Sequence, residues 1–103
     1  MKNEKLIKYL KDELDYSTFK IKATLREVKR LDKESAIRLD ELLEGKDITG
    51  YSFRDYSVND LIKNHRLNYI SAIIAISDLK RDYAYYSELY GRQLKWYKIK
   101  TTI

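Results

Sequence analysis

Arg92, Lys95, Lys98 and Lys100 are interleaved with Trp96 and Tyr97 in the run GRQLKWYKIKTTI. Basic side chains neutralise phosphates and aromatic rings stack on bases, so this run has the chemistry of a sequence-tolerant nucleic-acid contact. The same composition suits an anionic lipid surface. The plain alternative is a solvated tail whose Trp96 packs onto the body of the protein.

A second basic row, Lys22, Arg26, Lys29, Arg30 and Lys33, follows three-and-four spacing, but Glu27, Asp32 and Glu34 fall among its members. Mixed charge of that kind reads as an ordinary solvated helical face. A third candidate is a helix-turn-helix over 57–80, with a first helix at 58–65, a turn near Arg66–Asn68 and a recognition helix from Tyr69. Asn68, Tyr69, Ser71 and Lys80 would then face DNA, over a core of Leu61, Leu67, Ala72, Ile76 and Leu79. Against it, Arg66 stands where such turns often hold Gly, and Ile70, Ile73 and Ile74 stand where a recognition helix needs polar readers.

Catalysis finds little support. His65 is the only histidine and there is no cysteine, so no Cys–His pair and no second imidazole are available, and no Glu-x-x-His ligand pair occurs. Carboxylate groups such as Asp12/Glu13 and Asp40/Glu41/Glu44 read as solvated helix faces, and no phosphate-binding glycine loop, nucleophile elbow or zinc signature occurs. The chain is therefore expected not to be an enzyme and to need no cofactor or metal, with no catalytic residue. Tyrosine remains: Tyr83, Tyr85, Tyr86 and Tyr90 cluster late in the chain, while Tyr51, Phe53 and Tyr56 sit together earlier. Large rings with polar tips are enriched where proteins meet, which makes Tyr51, Phe53, Tyr56 and Tyr85 the candidate protein interface.

The elements that must carry these residues are helices. Among 103 residues there is no Pro, and Gly occurs only at 45, 50 and 91. The segment 1–44 reads as an arm of about three helices, near 3–14, 17–31 and 34–44, because Ser17 and the Asp32–Ser35 stretch offer N-caps. Gly45 is a natural C-terminal cap opening a connector at 45–56. Ser57, with Asp60 three residues on, has capping-box spacing, so a helix is expected from about Val58. The Asp-Tyr-Ser triplets at 15–17 and 55–57 read as this capping chemistry used twice.

From Val58, alternating steps of four and three meet Ile62, His65, Tyr69, Ala72, Ile76, Leu79, Tyr83, Tyr86 and Tyr90. Such a run predicts one long helix over 57–98, unless broken near Leu67, with a heptad-like seam facing a second copy and residues 99–103 as a tail. His65 would be a polar register-setting seam residue. Leu61, Leu67, Ile70, Ile73 and Ile74 form a second stripe, which favours a bundle over an isolated coiled coil.

The fold expected is thus all-α, a single small helical bundle with one long C-terminal helix, dimeric through the seam. Ten tyrosines and a hydrophobic fraction of 44% place the chain among ordered proteins despite 36% charged residues. The net charge of +5 is uneven, with +1 over 1–45, zero over 46–90 and +4 over 91–103. The longest mostly apolar stretch, YISAIIAI, is far below the roughly 20 residues of a membrane span. The charged opening MKNEKLIKYLKDEL lacks a signal-peptide core, so a cytoplasmic location is expected. The leading functional expectation is a regulatory or adaptor protein acting by helix-mediated association with a protein partner and with itself. The alternatives are a small DNA- or RNA-binding protein and a purely structural oligomer.

Overall fold

The computed structural model describes the backbone of residues 3–101 and the side chains of residues 3–91. Arg92, Lys95, Trp96, Lys98 and Lys100 therefore lie outside the described side chains. The described chain is mostly helical: α1 (Glu4–Lys8) continuing as a π-helical turn over Tyr9–Glu13, α2 (Thr18–Lys29), α3 (Lys33–Leu43), a two-stranded hairpin of β1 (Ser52–Phe53) and β2 (Tyr56–Ser57), α4 (Val58–His65) and α5 (Tyr69–Thr101).

Four of the helices start on a side chain that accepts a backbone N–H of the first turn. Ser17 accepts from Lys20 at 3.2 Å, Asp32 from Ser35 at 2.7 Å, Ser57 from Asp60 at 3.0 Å and Asn68 from Ser71 at 2.8 Å. Each satisfies an orphan donor that would otherwise cost about 1 kcal/mol. The paired triplets do share capping chemistry, since Ser17 and Ser57 do the same work. Gly45 ends α3 as the spacing predicts. At φ +84 it adopts the left-handed turn, its N–H bonds the Leu42 carbonyl, and the Lys46 N–H bonds that of Glu41.

One expectation is corrected. Residues 57–98 are not one helix, because α4 stops at His65 and α5 starts at Tyr69. Arg66 turns into the left-handed region at φ +56, the Leu67 N–H closes onto the Leu61 carbonyl at 3.1 Å, and Asn68 caps the new helix. The break falls where the helix-turn-helix alternative put it. The heptad pattern survives the break because α4 and α5 fold back on one another and line a shared core. Periodicity reports the inward faces without reporting the corner between them.

That core comprises Leu6 and Leu10 from the first arm, Leu39 from α3, Ile48 and Tyr51 from the connector, Val58 and Leu61 from α4, and Ile70, Ala72, Ile73 and Ile76 from α5. α2 contributes no fully buried residue and leans on the core through half-buried Ile21, Leu25 and Val28. The first part of α5 is thus the hub, which corrects the seam: Ala72 and Ile76 are spent inside the chain. From Arg81 to Gly91 every residue of α5 is exposed. The radius of gyration, 17.7 Å, exceeds the roughly 13 Å of a compact domain this long. A projecting helix accounts for the excess. No helix among the described residues is long and apolar enough to cross a membrane.

Candidate functional site

The hairpin pairs Ser52 with Ser57 and Phe53 with Tyr56 across a two-residue turn, Arg54–Asp55. Arg54 takes φ +55, a left-handed conformation without glycine's steric freedom. Its guanidinium carbon lies 4.2 Å from the Tyr83 ring centroid, and Phe53 meets the same ring edge-on at 5.7 Å. The Tyr56 ring lies 5.9 Å from that of His65 at the end of α4. The hairpin is therefore clasped to α5 on one side and α4 on the other. Between hairpin and α5 runs an open groove of about 730 Å³, lined by Phe53, Arg54, Asp55, Tyr56, Leu79, Asp82, Tyr83 and Tyr86.

Beyond the groove the aromatic surface continues along α5. Tyr56, Tyr83, Tyr85, Tyr86 and Tyr90 are 39, 45, 63, 57 and 66% exposed, and Leu89 is exposed as well. Tyr85 and Tyr86 stack edge to face at 5.3 Å. Of the residues expected at the interface, Phe53 and Tyr56 are brought to this surface together with Tyr83, Tyr86 and Tyr90 from the expected seam, while Tyr85, about 160° round the helix from Tyr83, meets it only through its ring contact with Tyr86. Ile62 is half-buried on α4, and Leu79 is half-buried at the head of the projecting part of α5. His65 belongs to α4 and not to a seam on a long helix, since the chain turns directly after it.

Tyr51 is a third correction. It is only 9% exposed, and its hydroxyl is held 2.7 Å from the buried Ser35 hydroxyl and accepts from the Lys80 ammonium at 2.9 Å. A polar tip with two internal partners makes Tyr51 a core residue. Lys80 also donates to Glu34 at 2.8 Å. Burial works against its charge, but the Glu34 carboxylate and the Tyr51 hydroxyl outweigh that and hold the ammonium above the ordinary lysine value. Nearby, Asp32 accepts from the Ser35 N–H and from the buried Ser77 hydroxyl. Burial again opposes the charge, yet the Ser35 and Ser77 hydrogen bonds and the Lys80 charge hold the carboxyl below the usual range. Only the two serines' position within helical apolar stretches hinted at this network.

The residues expected to read DNA are occupied otherwise. Asn68 uses its carboxamide oxygen to cap α5 and its nitrogen to donate to the Tyr16 hydroxyl at 3.2 Å. Tyr69 borders a different groove with Tyr9, Leu42 and Leu43. There burial chiefly raises the Tyr9 hydroxyl above its ordinary value. Ser71 is half-buried, Lys80 is committed to Glu34 and Tyr51, and Ile70 and Ile73 point into the core. Among the described residues no three His, Asp or Glu side chains converge on a possible metal position. Compared with protein-family models, with curated proteins and with solved structures, the chain matches none.

Proposed function

We propose that this is a non-enzymatic adaptor or regulatory protein that works by helix-mediated association, with a second copy of itself as its first partner. The observation that carries the reading is the run of exposed tyrosines from the hairpin groove along the projecting part of α5. With roughly 200 Å² per tyrosine side chain, the four rings of Tyr56, Tyr83, Tyr86 and Tyr90 at about half exposure present about 400 Å². Two such faces bury about 800 Å², below the roughly 1,000 Å² of a stable specific interface, so the pairing is weak and concentration-dependent. Tyr83, Tyr86 and Tyr90 also keep the three-and-four spacing that lets two helices pack side by side.

Sedimentation velocity over a range of concentrations tests this. The expected result is a monomer–dimer equilibrium that Tyr83→Ser, Tyr86→Ser and Tyr90→Ser together shift to monomer, with the helical circular dichroism kept because none of the three is in the core. A chain that stays monomeric at every concentration, or a dimer indifferent to the substitutions, overturns the reading.

A further inference from the structure

We propose that the outer face of α2 binds the backbone of a single-stranded nucleic acid, with Phe19 as a stacking platform at one end. The exposed residues of α2 are Thr18, Phe19, Lys20, Lys22, Arg26 and Lys29, which are cations, one hydroxyl and one ring; the helix's one acid, Glu27, has a 42% exposed side chain that is paired with Arg30. Steps of three, four and three put Phe19, Lys22, Arg26 and Lys29 on one side of the helix. At the helical rise they extend over about 15 Å, with a charge about every 5 Å.

In the sequence this row is diluted by three carboxylates, and the structure takes all three away from it. Glu27 is half-buried and bridges Arg30 at 2.8 Å. Asp32 caps α3 and accepts from Ser77. Glu34 is bound by Lys80 at 2.8 Å. Lys22, Arg26 and Lys29 form no ion pair among the described residues. Phe19, at 78%, has the highest exposure of the large hydrophobic residues described. Unpaired cations in a row neutralise successive phosphates, and a bare ring beside them offers a base its face.

The other polyanionic and apolar partners fit less well. A helix lying in a lipid surface needs a whole apolar face, and that of α2, Ile21, Leu25 and Val28, is packed against the core. A protein partner needs an apolar centre to the patch, and Phe19 is its single apolar residue.

The test uses the full chain and a short, labelled, mixed-sequence DNA strand, the same sequence as a duplex, and phosphatidylserine-containing vesicles. Lys22→Gln, Arg26→Gln and Lys29→Gln together are expected to weaken single-strand binding roughly tenfold or more at low salt and to flatten the log–log salt slope by about 2. Phe19→Ser is expected to weaken binding of the single strand several-fold while leaving the duplex affinity and the salt slope unchanged. Circular dichroism matching the parent confirms that each variant is folded. Oligonucleotide binding unaltered by the triple substitution, Phe19→Ser binding the single strand as the parent does, or binding to vesicles without binding to DNA overturns the proposal.

Discussion

The Lys80 ammonium on α5 sits 4.7 Å from the Tyr51 ring centroid and donates to the same residue's hydroxyl at 2.9 Å. Since that hydroxyl also meets Ser35 of α3, one side chain from the connector ties α3 to α5 through the middle of the protein. Tyr51→Phe keeps the ring and removes the tie. It leaves the fully buried Ser35 hydroxyl without this partner, a loss worth about 1–3 kcal/mol. Urea unfolding at fixed protein concentration should show it as a lower midpoint with an unchanged slope.

The Asp32 carboxyl gives the protein an acid-sensitive joint. Its folded value is depressed, so the stabilisation is present above the ordinary carboxylate range and is lost as the pH falls through the lower folded value. Asn caps a helix about as well as Asp but cannot titrate. Asp32→Asn should therefore be less stable than the parent near pH 6, and the gap should narrow by pH 3. Urea midpoints of the two proteins at both pH values check this. An equal gap at both would mean that charge plays no part in the joint.

Lys80 has the opposite sign. Its folded value is raised, so its contribution is complete below the ordinary lysine range and disappears as the pH climbs through the folded value, an alkaline window far from that of Asp32. Lys80→Met should flatten the loss of stability above about pH 10, relative to the parent.

Arg54 and Arg66 share a left-handed backbone, at φ +55 and φ +56, but not a purpose. A non-glycine residue there costs about 1 kcal/mol. Arg66 is a helix-ending corner and its side chain is exposed, so Arg66→Gly should stabilise by about 1 kcal/mol. Arg54 spends its strain on holding its guanidinium over Tyr83. Arg54→Gly relieves the backbone and loses a cation–π contact of similar size, so the net change should be near zero. Thermal unfolding of both variants separates the two cases.

How far the fold was legible follows from what each residue's signal depends on. Ser57 and Gly45 act on their own first or last turn, and local spacing located both. The corner at Arg66–Asn68 depends on α4 folding back against α5, and a pattern of apolar spacings is the same for a straight seam and for two packed helices. Tyr51 and Tyr56 are five positions apart and alike in type, yet one is buried and one exposed. The difference lies in the Ser35 hydroxyl waiting inside and in the register of a hairpin with no glycine or asparagine in its turn to announce it. Tyr83, Tyr86 and Tyr90 were legible as one helical stripe by their heptad spacing, which is the same for a stripe packed inward and for one left exposed.

α5 therefore divides into two halves, and substitution should read the boundary. Ile73 is fully buried in the core, whereas Tyr86, more than three helical turns further on, is 57% exposed. Ile73→Ala removes packed methylenes from a closed site and should cost about 2–5 kcal/mol. Tyr86→Ser removes a larger side chain from a surface and should change the stability of the dilute monomer by no more than about 0.5 kcal/mol. Association should respond the other way. At concentrations where the parent pairs, Tyr86→Ser should weaken pairing, while whatever Ile73→Ala protein remains folded should still pair. Unfolding curves at low and high protein concentration measure both effects in one series. A Tyr86→Ser protein as unstable as Ile73→Ala would place Tyr86 in the core and remove the basis for an aromatic docking face.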